Sequence, residues 1–510
     1  MRRILLELPL IVILMGICAV MMYLPVFHAV TVRDWLSARS FFYAGTLFLV
    51  LVIFLGIATF HMKPRSLARS HLTALVAAYA LLPFMLAWPF YEAVGNTTYF
   101  NAWFEMLSSL TTTGATLFEP ERLRETVHLW RAIVGWMGGL FIWVTAAAIM
   151  APLNLGGFEV TSMARPGSGS RRDRVLDADA QTDPRERLVR LALQMGPVYI
   201  ALTGVLWISL VGAGEDPLIA ICHAMSVLST SGISPVDGLS EARAGLVGEA
   251  MILFFFVFAF SRKTFSPGYG YGPDRISAVY RDVEARIAFY TIILVPSALF
   301  LRHWIGAFEV DDVADLGAAL RALWGAVFSV ASFLTTTGFT SAEWGGTETW
   351  SGLQTPGMVL MGLALVGGGV ATTAGGVKLL RVYALYKHGH REMERLVHPH
   401  SISGSGGAFG RHMRRRGAYI AWLFFMLYAM SLAGISAMLA ATGLTFEQSM
   451  VLSLSALSTA GQLAEVGGGG AISYIQVTDT AKTILAGAMV VGRVEALALI
   501  ALLNPEFWRA

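Results

Sequence analysis

Four short polar segments of the chain share one pattern of hydroxyl side chains and glycine, Ser-x-Leu-[Ser/Thr]-Thr-x-Gly. Their glycines are Gly114, Gly232, Gly338 and Gly461, which lie 118, 106 and 123 residues apart. Backbone carbonyls arranged in a ring can replace the hydration shell of a cation. Glycine leaves φ free, so neighbouring carbonyls can turn inward. The pattern therefore predicts a cation filter built from four segments, in which Thr and Ser add hydroxyl acceptors and brace the backbone.

The predicted filter positions are Thr111, Thr112, Thr113 and Gly114 in the first segment, Ser229, Thr230, Ser231 and Gly232 in the second, Thr335, Thr336, Thr337 and Gly338 in the third, and Ser458, Thr459, Ala460 and Gly461 in the fourth. The third position is Ala460 in the last segment, which has no hydroxyl. Any role at that position must use the backbone carbonyl. A purely structural role for all four turns remains the alternative.

Each filter segment follows a short apolar stretch, and the four stretches are 101–110, 217–228, 323–334 and 446–457. They are too short to cross a bilayer, which takes about 20 residues. Ten longer apolar stretches are predicted to span it: 4–30, 41–61, 71–91, 128–151, 191–212, 245–261, 286–305, 355–386, 418–441 and 481–502. Irregular backbone at membrane depth is tolerated where it lines a cavity or is buried in protein. The carboxyl ends of the short helices carry partial negative charge, which favours a cation nearby.

These observations predict an all-α polytopic membrane protein. It has four pseudo-repeats of span, pore helix, filter strand and span around one pore, plus two N-terminal spans. The predicted divisions are extra helices at 1–66, pore repeat 1 at 67–163, a cytoplasmic linker at 164–187, repeat 2 at 188–275, repeat 3 at 276–400, a second cytoplasmic linker at 401–416, and repeat 4 at 417–510.

Composition and charge agree with a membrane protein. Of 510 residues, 55% are hydrophobic and 14% are charged, against about 25% charged in soluble proteins. The predicted outer loops 212–244, 303–350 and 441–480 hold thirteen acidic and two basic residues. Basic residues mark cytoplasmic loops, so the N-terminus is predicted to be cytoplasmic. A net charge of +3 without a basic patch predicts no nucleic-acid partner.

Enzyme chemistry has little support in the sequence. A phosphate-binding loop would need Gly-Lys-[Ser/Thr], and a zinc protease His-Glu-x-x-His; neither occurs. The two cysteines favour no disulfide framework or Cys-based metal site. Four histidines lie close together, and we expect them on a solvated face: His388, His390, His398 and His400. The chain is predicted not to be an enzyme.

A glycine-rich run at 367–376 interrupts the apolar segment 355–386. Each glycine costs about 1 kcal/mol against alanine inside a helix, so the run predicts a flexible intramembrane gate, with close helix packing as the alternative. Arg493 lies in an apolar span, where a charge is a functional candidate. The alternatives are a structural pair with Glu495 or another carboxylate, and a position near the inner interface. The candidate gating residues are Gly367, Gly368, Gly369, Thr372, Thr373, Gly375, Gly376, Lys378 and Arg493. An equally good interpretation of Lys378 and Arg381 is that their charged ends anchor the segment at the inner membrane–water interface.

With these motifs the chain resembles the superfamily of Trk, Ktr and HKT potassium transporters, and most closely the Trk-type membrane subunit. The resemblance covers nearly the whole chain. Besides the filters, it is carried by Trp136-Met-Gly-Gly-Leu140, by the run from Gly367 to Arg381, by Gly492-Arg493-Val-Glu495, and by Asn504-Pro-Glu-Phe-Trp-Arg509.

The resemblance implies uptake of K⁺, and also of Rb⁺, across a bacterial inner membrane. K⁺ is then the transported ion, and membrane lipid surrounds the subunit. It also implies a homodimer, a cytosolic nucleotide-binding regulatory subunit, a gating loop below the filter, and Arg493 near that loop as an electrostatic barrier. In the superfamily, Ser at the first filter glycine accompanies Na⁺ transport, so Gly114 favours K⁺.

The alternative function is a potassium symporter coupled to Na⁺ or H⁺. Intramembrane carboxylates are the usual sign of such coupling. Glu105, Glu447 and Glu495 lie in or near apolar segments, but they form no convincing relay.

Overall fold

The structure is a computed structural model that describes residues 8–60, 67–151, 184–261, 282–306, 316–353, 355–397 and 415–495. The predicted linkers lie largely outside these residues, as do His398, His400 and the motif 504–509. Within the described residues every regular element is a helix. Eight helices there are long and apolar enough to cross a membrane: Leu10–Thr31, Trp35–Thr59, Thr73–Val94, Glu125–Met150, Glu186–Gly212, Val283–Arg302, Gly317–Leu334 and Ala418–Ala440.

The helices follow the predicted order of two leading spans and four repeats. The leading spans are Leu10–Met21 with Tyr23–Thr31, and Trp35–Thr59. Repeat 1 has Leu67–Val94, Tyr99–Leu110 and Glu125–Thr145. The last of these continues as a π-helical turn over Ala146–Met150. Repeat 2 has Pro184–Gly212, Pro217–Ser229, Gly245–Phe255 and Val257–Phe260. Repeat 3 has Val283–Gly306, Leu316–Leu334, Trp344–Ser351, Gly357–Val366 and Leu379–Val397. Repeat 4 has Arg415–Ala440, Phe446–Ser458, Leu463–Val466 and Asp479–Val494.

The second helix of each repeat, called the pore helix below, begins at a polar cap in three repeats. Thr98 accepts a hydrogen bond from the backbone of Asn101, and Asp216 accepts one from Leu218. Thr445 and Gln448 form a reciprocal capping box. Such caps satisfy backbone N–H groups that the first helical turn leaves free. They fix the start of each pore helix, and therefore the point at which its filter segment begins.

Several helix lengths differ from the sequence prediction. The third pore helix, Leu316–Leu334, is longer than the predicted 323–334, because alanines and leucines that favour helix continue the apolar segment toward its N-terminus. The predicted span 245–261 breaks at Phe256. The predicted span 355–386 is interrupted after Val366 and resumes as a helix at Leu379. The four pore helices still end at equivalent places, directly at the filter segments.

The core lies around the filter, and the leading spans lie outside it. In the helix Glu125–Met150, 83% of the residues in the most apolar 18-residue stretch are buried. The corresponding share in Trp35–Thr59 is 22%. Large apolar side chains of that outer helix are exposed, such as Phe54 at 66% and Ile57 at 71%. An apolar exposed face of this kind suits contact with lipid.

Candidate functional site

All sixteen predicted filter residues are buried. Each filter segment leaves the carboxyl end of its pore helix, and those helices end at Leu110, Ser229, Leu334 and Ser458. The structure thus places the four segments in equivalent positions within the repeats.

One backbone feature recurs in all four filter segments. The threonine at the second position of each segment adopts a left-handed conformation, with φ of 54° at Thr112, 54° at Thr230, 56° at Thr336 and 55° at Thr459. A β-branched residue rarely takes a positive φ, and such strain costs about 1–3 kcal/mol per residue. The same strained turn therefore recurs four times. The sequence pattern named these threonines as filter positions but did not predict their left-handed backbone.

Three of the four filter glycines are also left-handed. Their φ angles are 72° at Gly114, 62° at Gly232 and 87° at Gly338. Gly461 is not in that region, so the expected equivalence of the four glycines holds at three of them. The backbone N–H of Gly461 instead donates to the carbonyl of Thr113 at 2.6 Å. The fourth segment therefore leaves the shared conformation at its glycine.

Close backbone contacts give the order of the segments around the site. A Cβ on Gly114 would lie 2.0 Å from the carbonyl oxygen of Ser231, and one on Gly232 would lie 2.2 Å from that of Thr337. A Cβ on Gly461 would lie 2.7 Å from the carbonyl oxygen of Thr113. The first segment thus adjoins the second, the second adjoins the third, and the fourth adjoins the first. No side chain fits at these glycines without displacing a neighbouring carbonyl.

The hydroxyl groups brace the segments internally. Thr111 Oγ1 lies 2.9 Å from Thr113 Oγ1, and Thr335 Oγ1 lies 2.9 Å from Thr337 Oγ1. In the second segment the Ser229 hydroxyl donates to the Ser231 hydroxyl at 3.0 Å. Ala460 cannot make the equivalent bond in the fourth segment. The hydroxyls of the first three segments therefore hold the turn, and backbone carbonyls are left as candidate cation ligands.

Two buried carboxylates hold the loops that follow the first and third filter segments. Glu105, in the first pore helix, lies 2.7 Å from Arg131 and accepts a bond from the backbone of Leu117 at 2.9 Å. Glu249 accepts bonds from Trp324, Ser341 and the backbone of Ala342 at 2.7, 2.8 and 2.7 Å. These residues position the filter through its flanking loops.

Removing one partner of the Glu105–Arg131 pair should strongly destabilise the protein. Both side chains are almost fully buried, at 1% and 4% exposed, and breaking such a pair costs about 3–5 kcal/mol. We expect Arg131→Met to lower the melting temperature of the purified protein in detergent. The pair of Asp34 with the half-exposed Arg124 is the control, because Arg124→Met should cost at most about 1 kcal/mol. Equal shifts for the two variants would contradict a positioning role for the buried pair.

The glycine-rich run forms a loop that folds back on itself. The helix Gly357–Val366 ends immediately before it, and helix resumes at Leu379. The backbone N–H groups of Val377 and Lys378 donate to the carbonyls of Leu365 and Val366, each at 2.9 Å. Gly367 is left-handed, with φ of 73°, and a Cβ there would lie 2.2 Å from the carbonyl of Gly375. Close approach of the backbone explains the glycine at this position.

This loop packs against three of the four filter segments or their pore helices. The backbone N–H of Gly375 donates to Thr336 Oγ1 at 2.7 Å. The Thr373 hydroxyl donates to the carbonyl of Leu228 at 3.2 Å. A Cβ on Gly375 would lie 2.1 Å from the carbonyl of Ser458. The remaining predicted members Gly368, Gly369, Thr372 and Gly376 are buried in the same loop.

Three basic side chains are buried beside the loop, with different partners. Arg493 is 4% exposed and donates through Nη1 to the carbonyl of Thr373 at 2.7 Å. Arg381 is fully buried, lies 2.7 Å from Glu495, and stacks 3.5 Å from the ring centre of Phe424. The predicted alternative, a pair of Arg493 with Glu495, is therefore replaced by a pair with Arg381. No ion pair of Arg493 occurs among the described residues.

Lys378 belongs to the loop rather than to an exposed interface. It is 7% exposed, its φ is 86°, and its Nζ donates to the carbonyl of Ala374. Lys378 and Arg493 both line a small cavity of about 20 Å³ together with Gly375 and Gly376. The same cavity is also lined by Glu495, so two basic side chains and one carboxylate border this space beside the loop.

The described members of the histidine group, His388 and His390, lie on an exposed helical face. His388 and His390 pair with Glu392 and Glu394 one helical turn later, at 3.9 and 3.4 Å. All four side chains are more than two-fifths exposed. Over the described ranges, no cluster of three or more His, Cys, Asp or Glu side chains suits a metal ion.

The chain is similar to known transport proteins over most of its length. Residues 286–508 match the TrkH family, described as a cation transport protein. The Trk system potassium uptake protein TrkH of Escherichia coli (strain K12) is 30% identical over 425 residues, which cover 81% of this chain and 80% of that protein. The Trk system potassium uptake protein TrkI of Halomonas elongata is 28% identical, with 85% and 82% covered.

The crystal structure of the potassium transporter TrkH from Vibrio parahaemolyticus matches with a TM-score of 0.80 over 99% of both chains, at 24% identity. The predicted fold is thereby confirmed as a multi-pass, all-α membrane protein with four pseudo-repeats around one pore and two leading spans. The chain belongs to the TrkH family, within the superfamily of Trk-type potassium transporters.

Proposed function

We propose that this chain takes up K⁺ across a bacterial inner membrane through a ring of backbone carbonyls. The observation that carries the proposal is the fourfold recurrence of the strained left-handed threonine at Thr112, Thr230, Thr336 and Thr459. Strained backbone persists where the surrounding structure enforces it, and functional sites are where it collects. Four such turns in contact with one another provide the inward-facing carbonyls that a filter needs. The relatives named as potassium uptake proteins support K⁺ as the cargo.

We propose that the loop 367–376 is the gate of this pathway. It contacts the second, third and fourth repeats at or beside their filter turns through Thr373 and Gly375. Arg493 holds the loop by its bond to the Thr373 carbonyl and contributes positive charge. Opening then requires this bond to break or the loop and Arg493 to move together.

The buried carboxylates favour a channel-like pathway over coupled symport. Glu105 is engaged by Arg131, Glu495 by Arg381, and Glu249 by Trp324 and Ser341. A coupling site needs a carboxylate that is free to exchange H⁺ or Na⁺. These three are committed to positioning neighbouring backbone and side chains.

The remaining assignments follow the family resemblance. We propose a homodimer that works with a cytosolic nucleotide-binding regulatory subunit and has its N-terminus in the cytoplasm. The acidic outer loops and basic inner loops of the sequence support this orientation.

The test is complementation of cells that lack their own K⁺ uptake. We expect the chain to restore growth at low K⁺ and to transport K⁺ and Rb⁺ in preference to Na⁺. Uptake at a fixed membrane voltage should not change when the Na⁺ or H⁺ gradient is removed. Absence of K⁺ uptake at confirmed membrane expression would overturn the proposed function, and dependence on either gradient would establish the coupled symporter instead.

A further inference from the structure

The residue after the filter glycine differs in kind in the fourth repeat. It is Ala115, Ile233 and Phe339 in the first three repeats, and Gln462 in the fourth. The carboxamide of Gln462 reaches across the site to the other segments. One side chain of the fourth repeat thus lies among the backbone groups of its three counterparts.

The amide nitrogen of Gln462 lies at the carbonyl oxygens of two segments. Its distances are 2.7 Å to Gly232, 3.2 Å to Ser231 and 3.4 Å to Gly114. A primary amide has two N–H donors, so the two shorter contacts are its principal hydrogen bonds. On its other side, Oε1 lies 2.3 Å from the position a Cβ would take on Gly338. The carboxamide therefore contacts all three other filter segments.

The backbone around Gln462 is held so that the side chain points into the filter. The Gly461 N–H donates to the Thr113 carbonyl at 2.6 Å, and the Gly461 carbonyl accepts from the Tyr474 hydroxyl at 3.0 Å. That hydroxyl also lies 2.7 Å from Ser455 Oγ. The hydrogen bonds to Thr113 and Tyr474 thus stabilise Gly461 outside the left-handed conformation. It places the side chain of Gln462 where the first three repeats have none.

A carbonyl oxygen has two lone pairs, but the positive end of an N–H group held against it repels a cation at the same oxygen. Hydrogen bonding by Gln462 and ligation of K⁺ by these carbonyls therefore oppose each other. The carboxamide oxygen adds no hydrogen bond that would hold the side chain in place. Oε1 is buried and accepts no hydrogen bond from the described residues. A buried acceptor without a donor is unfavourable, which leaves the side chain readily displaced.

We propose that Gln462 competes with K⁺ for the outermost carbonyl ring and so sets the apparent affinity of the filter for K⁺. This inference rests on the proposed function as a K⁺ pathway. K⁺ arriving at the ring displaces the amide, and the amide returns when the ion leaves. Gln462 is in this sense a specificity-determining residue of the fourth repeat.

The test is the K⁺ concentration that gives half-maximal uptake in Gln462→Ala and Gln462→Met. Neither variant has the amide donors, and the second keeps the approximate length of the side chain without adding a charge. We expect this concentration to fall by about tenfold, the change that corresponds to the loss of about 1.4 kcal/mol of competing hydrogen bonding. The K⁺ concentration that half-protects the purified protein from thermal unfolding should fall in parallel, which also shows that the variants fold.

The control is Gln476→Ala, which removes an exposed glutamine from the same outer region of repeat 4. It should leave both concentrations unchanged. Unchanged values in both Gln462 variants would overturn competition by the amide. Raised values would overturn it too, because they would make Gln462 a ligand that helps to bind K⁺. Failure of the wild-type chain to take up K⁺ would instead refute the proposed function, so the two failures are distinct.

Discussion

Replacing Gly114 with serine should reduce the preference for K⁺ over Na⁺ by at least about tenfold. The φ of Gly114 is 72°, and a Cβ would lie 2.0 Å from the carbonyl oxygen of Ser231. Left-handed backbone costs an L-residue roughly 1–2 kcal/mol, and the contact forces the neighbouring carbonyl to move. A displaced carbonyl changes the ring that replaces the hydration shell. The measurement is uptake of K⁺ and Na⁺ in transport-deficient cells.

Gly95 provides a matched control for this substitution. Its φ is also 72°, and nothing lies within 4 Å of the position a Cβ would take. Gly95→Ser therefore imposes the same backbone strain without the clash in the filter. We expect its ion preference to equal that of the wild type. A loss in Gly95→Ser as large as in Gly114→Ser, or unchanged selectivity in Gly114→Ser, would refute the filter assignment.

Replacing Arg493 with methionine should raise the basal flux of K⁺ in the absence of any regulatory partner. The substitution removes both a buried positive charge and the 2.7 Å bond to the Thr373 carbonyl of the loop. Two unit charges roughly 8 Å apart repel by about 2 kcal/mol at an effective dielectric constant of about 20. Removing a barrier of about 2 kcal/mol corresponds to a rate increase of about thirtyfold. The measurement is ⁸⁶Rb⁺ flux into liposomes that contain the purified protein.

Arg493→Lys separates the charge from the geometry of the guanidinium. It keeps the positive charge but alters the donor that reaches Thr373, so its flux should stay close to that of the wild type. A flux in Arg493→Met at or below the wild-type value, at equal protein content, would refute the role of Arg493 as an electrostatic barrier to K⁺. Equal increases in both variants would assign the effect to the lost hydrogen bond.

The positions of the filter segments and of the loop were predictable because each interrupts an apolar pattern. Thr and Gly at the end of a short apolar helix mark a break in the backbone, and so do the glycines of 367–376. Local sequence carries this information. It also indicated where three pore helices begin, since caps such as Thr98 act within three residues, but not the start of the third at Leu316.

Contacts between distant parts of the chain could not be predicted in the same way. Gln462 meets the Gly232 carbonyl across 230 residues, and Arg381 meets Glu495 across 114. The sequence offered a pair of Glu495 with Arg493, two residues away, as the structural alternative to a functional role of Arg493. The structure favours Arg381 because its guanidinium is also stacked on Phe424. The departure of Gly461 likewise depends on Thr113 and Tyr474, which lie elsewhere in the sequence.

The most direct test of the central claim is the reversal potential of the purified protein in a bilayer, with K⁺ on one side and Na⁺ on the other. A filter of four carbonyl-bearing segments predicts a reversal potential displaced strongly toward the K⁺ equilibrium value. The same displacement should be largely lost in Gly114→Ser and in Gly232→Ser, whose Cβ would lie 2.2 Å from the Thr337 carbonyl, and kept in Gly95→Ser. A wild-type reversal potential near zero would contradict the account.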